Sequence, residues 1–360
     1  MLAFTRRHLL ISIAAIAYRR CAGAAPFVPP RDPQVVAFAP GGTTVATGCS
    51  GLSDGNFPPR PHPDVRKCAI VAVWDITSRK RLFRFETFGD FTKLAFSPDG
   101  ALLATCRLFA TADSVELDEV RIWDVTNGRP VKTLDRCHGF DFSPDSRQLA
   151  VLSRSKCVVY DLKDWTKEKL VKPLGDAITV VFAADGSFLV GVVRDEGKYR
   201  LRSVAIESGE RTAQSLSLDQ PYYSIAISPD GSLLATGHDG GNVILWDAQS
   251  LDVRVRLQTG VRGLAHPFFS PDAKMIAAGC QETGDVVIWN IAGRQEIARH
   301  TFEKGSLHTY YNRAAPAPLR PERDPTRFCF SPDGESFLAG CYGGILRATS
   351  GGQELARFGE

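Results

Sequence analysis

Several signals are missing from this sequence of 360 residues. No apolar run reaches the roughly 20 residues that a helix needs to cross a bilayer, so no transmembrane segment is expected. None of the nine cysteines falls in a C-x-x-C pair, which removes the usual zinc and dithiol motifs. G-x-S-x-G, H-E-x-x-H, the GxxxxGK[ST] phosphate loop and the EF-hand loop are likewise absent, so no familiar catalytic constellation announces itself. A charge excess is lacking too: 43 Lys and Arg stand against 40 Asp and Glu. A near-neutral body does not have the basic balance of a nucleic-acid binder. What remains, 44% hydrophobic and 23% charged residues, is the composition of an ordinary globular protein.

The basic residues are unevenly placed. Arg6, Arg7, Arg19, Arg20 and Arg31 precede the first acid, Asp32. The string Thr5-Arg6-Arg7-His8-Leu9-Leu10 opens an apolar stretch from Leu9 to Tyr18, the size of a signal-peptide core, and Ala22-Gly23-Ala24 follows as an A-x-A-like cleavage site. The opening is similar to a bacterial twin-arginine signal, with Leu9 where Phe is commonest. We expect residues 1–24 to be a signal peptide, 25–31 a Pro-rich linker, and the protein to be exported to an extracytoplasmic compartment. The alternative is a basic tail on a cytoplasmic protein.

The rest of the chain repeats. Phe96-Ser97-Pro98-Asp99-Gly100 recurs as Phe142-Ser143-Pro144-Asp145-Ser146, Phe182-Ala183-Ala184-Asp185-Gly186, Ile227-Ser228-Pro229-Asp230-Gly231, Phe269-Ser270-Pro271-Asp272-Ala273 and Phe330-Ser331-Pro332-Asp333-Gly334. Phe38-Ala39-Pro40-Gly41-Gly42 is a weaker first copy, and the seven copies are 58, 46, 40, 45, 42 and 61 residues apart. Pro presets φ near −65° at the second position of a tight turn, and Gly enters the left-handed region at its end. A strand therefore runs into each phrase and another runs out. After the outgoing strand, a β-branched segment closes on an aromatic and an acid or amide: Trp74-Asp75, Trp123-Asp124, Tyr160-Asp161, Trp246-Asp247 and Trp289-Asn290. A turn and a fourth strand follow, as in Pro130-Val131-Lys132-Thr133-Leu134.

Four short strands per period of 40–46 residues, with phased SPDG-like and Trp-Asp phrases, resemble the WD-repeat family over residues 32–360. The resemblance implies an all-β fold, a β-propeller with one four-stranded antiparallel sheet per blade. The two long spacings hold Gly51 to Lys67 and Glu303 to Arg327, the second with Pro316, Pro318, Pro321 and Pro325. Proline is confined to strand edges and turns, so neither stretch hides a blade, and seven blades are expected. The chain ends on Gln353 to Phe358, which reads as a fourth strand, so the last blade is expected to close with its own C-terminal strand.

The resemblance also implies that Trp on a third strand bonds a Ser or Thr, a Gly-His histidine and a turn Asp. Thr236, Asp239 and Trp246 fit that set. The histidine is missing from Leu218 to Tyr222, and His138 lies too close to Phe142 for the role. His238, in the Gly-rich stretch 237–241, is read as a surface turn residue. The acids Asp113, Glu116, Asp118 and Glu119 are read as a solvated loop without the spacing of a calcium site. No cofactor or metal is expected. Cys49 and Cys68 bracket the first insertion on adjacent strands and form a candidate disulfide in an oxidising compartment.

The resulting expectation is a non-catalytic scaffold that binds a protein or peptide through loops on one face. In a WD-repeat propeller the two long insertions emerge on that same face. They carry Phe57, Arg60, His62 and Arg66 in one, and Tyr310, Tyr311, Arg313, Arg320 and Arg323 in the other, residue types favoured at interface hot spots. The alternative is an enzymatic or cofactor-bearing propeller with its site in the central channel.

Overall fold

The computed structural model describes residues 35–41, 44–51, 68–75, 80–88, 90–108, 119–153, 155–217, 222–260, 265–280, 285–300, 328–330, 333–334, 336–339, 345–349 and 354–357. These form seven four-stranded antiparallel sheets, each a simple meander of consecutive strands. Sheet 1 comprises Val35–Phe38, Thr44–Gly51, Cys68–Asp75 and Lys80–Phe88, and sheet 2 Asp90–Phe96, Leu102–Leu108, Glu119–Asp124 and Pro130–Asp135. Sheet 3 runs through Cys137–Phe142, Gln148–Ser153, Lys156–Asp161 and Glu168–Leu170, and sheet 4 through Ala177–Phe182, Phe188–Asp195, Lys198–Ala205 and Arg211–Gln214. Sheet 5 is Tyr222–Ile227, Leu233–His238, Asn242–Asp247 and Val253–Gln258; sheet 6 is Ala265–Phe269, Met275–Cys280, Val286–Asn290 and Gln295–His300. Sheet 7 takes all four strands from the C-terminus: Phe328–Phe330, Ser336–Ala339, Ile345–Ala348 and Glu354–Arg357. Helix among the described residues is limited to two 3₁₀ turns, Lys172–Leu174 and Asp239–Gly241.

The sheets fall into two compact units, one holding sheets 1, 2 and 7 and the other sheets 3 to 6. Within each unit, neighbouring sheets meet through their first strands. In the first unit, Val35–Phe38 lies against both Asp90–Phe96 and Phe328–Phe330. In the second, apolar faces interleave between sheets. One cluster joins Leu152, Val159 and Leu174 to Val180, Leu189 and Val193. Another joins Val192, Tyr199 and Leu201 to Ile244 and Trp246, and a third joins Val243, Leu245 and Leu257 to Ala265, Ala278 and Trp289. Sheets 4 and 5 are thus buried on both faces, so their inner strands read as apolar runs where a sheet with one solvated face would alternate.

The SPDG-like phrase works as expected, and its serine does more than the sequence indicated. Ser143, Ser228 and Ser270 each donate their hydroxyl to the Asp two residues on, all at 2.6 Å. The same hydroxyls accept the backbone N–H of Gln148, Leu233 and Met275 at 2.8–2.9 Å, closing the turn. These serine bonds hold the carboxyls of Asp145, Asp230 and Asp272 below their usual range. The last turn position has positive φ in every described copy: Gly100, Ser146, Gly186, Gly231, Ala273 and Gly334. Ala273, at φ 57°, bears a Cβ where four copies have none. Relief of that left-handed strain is expected to make Ala273→Gly stabilising by about 0.5–1 kcal/mol. Chemical denaturation checks it, with Ala277→Gly, inside a strand, as the control that should lose stability.

A second regularity was not visible in the sequence. In six sheets the ladder between third and fourth strands skips one residue beside the register position that carries the aromatic: Val73/Trp74, Ile122/Trp123, Ser203/Val204, Leu245/Trp246, Ile288/Trp289 and Leu346/Arg347. The skipped residues are Leu82, Val131, Thr212, Arg254, Ile297 and Leu355. Sheet 3 pairs without a skip and has a fourth strand of only three residues.

Candidate interaction face

In a four-stranded meander, the loop between strands two and three and the exit from strand four emerge at the same end. The candidate face is that end of the sheets. The insertions that carry Phe57, Arg60, His62, Arg66, Tyr310, Tyr311, Arg313, Arg320 and Arg323 lie outside the described residues, as do Asp113, Glu116 and Asp118. The backbone at the two cysteines is described. Cys68 faces Gly51 and Cys49 faces Ile70, which makes the pair diagonal. The side chains of both cysteines lie outside the described residues.

Sheet 5 corrects the reading of His238. The side chain is 2% exposed, in the last position of the second strand rather than on a surface turn. Trp246 donates its indole N–H to Thr236 Oγ1 at 2.8 Å, and that oxygen lies 2.9 Å from His238 Nε2. Thr236 has one hydroxyl proton. Its oxygen has a second acceptor position beside the one the indole fills, so the bond to a neutral His238 forms with either ring tautomer. Burial pushes the imidazole down to about 4, and the charge of Arg256 adds to the effect. A histidine therefore stands beside the Thr236–Trp246 pair. It comes from two positions along the same strand as the threonine, not from the preceding connection. The signal in the sequence was the i, i+2 pair Thr236 and His238, which share one face of a strand.

Sheet 2 uses the same geometry with different chemistry. Trp123 donates to Thr105 Oγ1 at 3.3 Å, and Arg107 takes the position of His238. Arg107 is 3% exposed and binds Glu119 at 2.5 Å. Glu119 also binds Arg121 at 2.8 Å, and the Arg121 guanidinium lies 5.4 Å from the Trp123 ring centroid. Burial pushes the Arg107 guanidinium down, opposed by its bond to Glu119. Glu119 is thus the half-buried counter-ion of an internal cation, which corrects its reading as a solvated loop acid.

In sheet 4 the hairpin between Phe188–Asp195 and Lys198–Ala205 presents charges on both of its faces. On the side toward sheet 3, Arg200 binds Asp195 at 2.8 Å and Arg202 donates to Pro173 O at 2.8 Å. On the side toward sheet 5, Arg194 is exposed over the buried Tyr199, 5.8 Å from its ring centroid. Just beyond the fourth strand, Ser215 Oγ accepts from Leu201 N–H at 3.0 Å, and the next residue, Leu216, is 87% exposed. The turn acids are structural, as expected. Asp247, for example, accepts from Gln249 N, Ser250 N and Arg254, which holds it at about 2.

The Myceliophteria thermophila Cps50 (Swd1) β-propeller domain superposes on 86% of this chain, and on 92% of its own length, with a TM-score of 0.62 at 14% identity. This chain has the β-propeller fold. Its sheets are propeller blades, and the model of the family described as WD domain, G-beta repeat matches residues 216–247 in the fifth. A Drosophila pseudoobscura pseudoobscura protein named Protein LST8 homolog is 21% identical over 203 residues, 53% of this chain. The match spans 64% of that relative's length, less than two thirds of it. The matched repeat includes the Thr236–His238–Trp246 network, so the family pattern and the polar network coincide in one blade.

Proposed function

We propose that this chain is a non-catalytic WD-repeat scaffold that binds a protein or peptide through the loop face. In this reading residues 1–24 are an export signal and 25–31 a linker. Residues 32–360 form one ring of seven blades, closed where the C-terminal strand Glu354–Arg357 completes the last of them. One observation carries the function. Polar groups of blades 2 and 5 are committed within their own blade, as in Trp246–Thr236–His238 and Arg107–Glu119–Arg121, whereas the exposed Arg194 of blade 4 is of a type enriched at interface hot spots. Chemistry needs the reverse arrangement, with polar groups converging on open space.

The experiment is cross-linking of the purified full chain to its native extract, followed by mass spectrometry. Partner cross-links should concentrate on the loop face. Changing Tyr310, Tyr311 and Arg313 to Ala, alone and combined with deletion of residues 53–65, should cut capture about tenfold or more while the melting temperature stays near its starting value. Capture that survives both changes rules out the two insertions as the contact. Absence of any loop-face cross-link overturns the scaffold reading.

A further inference from the structure

We infer that the Asn127–Gly128 step in blade 2 is a succinimide-forming modification site that the Asp124 carboxylate keeps closed in the folded protein, and that reaction there is one-way, because neither product refits the turn. This is the only Asn-Gly step in the sequence. Glycine has no Cβ to shield its backbone nitrogen or to restrict its φ. An unrestrained Asn-Gly step is therefore the pair most open to attack on the side chain by the next residue's nitrogen. The step lies in the turn between Glu119–Asp124 and Pro130–Asp135, at the end of the blade opposite the loop face.

In the reaction, Gly128 N gives up its proton to hydroxide and bonds to Asn127 Cγ. The Cγ–Nδ2 bond breaks, and Nδ2 leaves as ammonia after taking up a proton from water. Water then adds to one carbonyl of the five-membered ring. Opening at the new Cγ–N bond leaves an aspartate. Opening at the other C–N bond leaves an isoaspartate, whose main chain is one carbon longer. In the folded turn each participating group is already bound. Gly128 N–H donates to Asp124 O at 2.8 Å. Asn127 Nδ2, the leaving group, donates to Asp124 Oδ2 at 2.8 Å, and Asn127 Oδ1 accepts Arg129 N–H at 2.9 Å. Asp124 Oδ1 is itself fixed by Thr126 N at 2.7 Å and Thr126 Oγ1 at 2.5 Å. Asp124 thus holds both the nucleophile and the leaving group, and the Asn127 amide has to be freed before the ring can close.

Neither product fits the turn it came from. An aspartate puts a carboxylate oxygen where Nδ2 had donated, 2.8 Å from Asp124 Oδ2, and the two charges repel. An isoaspartate shifts Gly128 along the chain, and Gly128 has little room beside blade 1. At φ +69°, a Cβ built on it would lie 2.6 Å from Phe83 Cγ and 2.7 Å from Phe83 Cβ. Phe83, on the outer strand of blade 1, packs on the cluster that joins Val73 to Trp123. Modification therefore loosens the contact between blades 1 and 2.

The test follows the full-length protein in mildly alkaline buffer by isoaspartyl methyltransferase labelling and peptide mapping. Native wild type should react at least about tenfold more slowly than a synthetic peptide of residues 122–131. Urea above the unfolding midpoint should abolish that difference. Asp124→Ala with native circular dichroism should react several-fold faster than wild type. Should that variant not fold, Asp124→Asn, which keeps an acceptor for Thr126 and loses the one for Asn127, carries the same expectation. Asn127→Asp should melt below both wild type and Asn127→Ser. Wild type that reacts at the peptide's rate without urea, or a folded Asp124 variant that reacts no faster than wild type, overturns the closed site. Equal melting of Asn127→Asp and Asn127→Ser overturns its one-way character.

Discussion

Replacing Gly237 with alanine should come close to unfolding the second unit. A Cβ built at Gly237 would lie 1.8 Å from the carbonyl oxygen of Ala265, 2.7 Å from its carbonyl carbon and 2.9 Å from Pro267 Cδ. None of these atoms is the far end of a flexible side chain. They belong to the first strand of blade 6, which is held in register by its ladder from Ala265–Cys280 to Phe269–Ile276. Relief requires the two blades to separate by more than an ångström across a cluster in which Val243, Leu245, Ala265, Ala278 and Val287 are at most 1% exposed. Overpacking of this severity is worth roughly 3–5 kcal/mol, a large part of a typical total stability of 5–15 kcal/mol. Gly197, at φ +79° with nothing within 4 Å of a built Cβ, is the control. There alanine should cost only the left-handed backbone term, about 1 kcal/mol. Urea denaturation of both variants decides the matter, and a loss below about 1 kcal/mol at Gly237 would falsify the close approach of blades 5 and 6.

Acidification between pH 6.5 and 4 should weaken the protein through His238. In the unfolded chain its imidazole takes up a proton near the ordinary value of about 6.5. In the folded state burial and Arg256 delay protonation to about 4. The folded pKa is depressed, so unfolding takes up a proton inside that window. The contribution to stability is complete above about 6.5, falls as pH is lowered, and is gone below the folded value of about 4. Its full size is on the order of 3 kcal/mol. The turn carboxylates Asp145, Asp230, Asp247 and Asp272 are also depressed, but they titrate lower, so their loss follows at more acid pH. His238→Gln retains an amide that can meet Thr236 Oγ1 and does not titrate. The difference between wild-type and H238Q stability should therefore shrink or reverse between pH 7 and 4.5. A difference that stays flat across that range refutes the buried neutral imidazole.

The turn phrases and the strands around them were legible because each rests on local chemistry. Proline, aspartate and glycine set the turn from within five residues, and the Trp-Asp pair marks the end of a third strand whatever the next blade does. His238 was misread because its burial is a tertiary property that the local sequence does not carry. A Gly-rich neighbourhood looked like a turn, yet Gly237 is glycine because another backbone passes beside it. Glu119 was misread for a related reason. Its partner Arg107 lies across a long loop, and a run of acids in sequence says nothing about which of them begins the next strand. The offset of Cys49 from Cys68 could not be counted, because ladder register depends on where the insertion leaves the sheet, and Gly51 still belongs to the strand. The candidate interaction residues were chosen by type alone, and they lie outside the described residues.

The skipped residues in the outer strands have a consequence for how copies of this protein meet one another. An outermost strand is an open row of hydrogen-bonding groups, and a straight one invites a second molecule to extend the sheet. Here six of the seven outer strands are kinked beside the same register position. Three of the kinks place an apolar residue outward: Leu82, Val131 and Ile297, exposed by 49%, 43% and 48%. In straight strands these side chains would form sticky templates for fibrillar stacking. A bulge increases local twist and breaks the ladder, so an incoming strand loses its register at that point. Blade 3, the unkinked exception, has an outer strand of just Glu168, Lys169 and Leu170, too short to nucleate a foreign strand. Resistance to self-association is thus distributed over the outer edges, blade by blade.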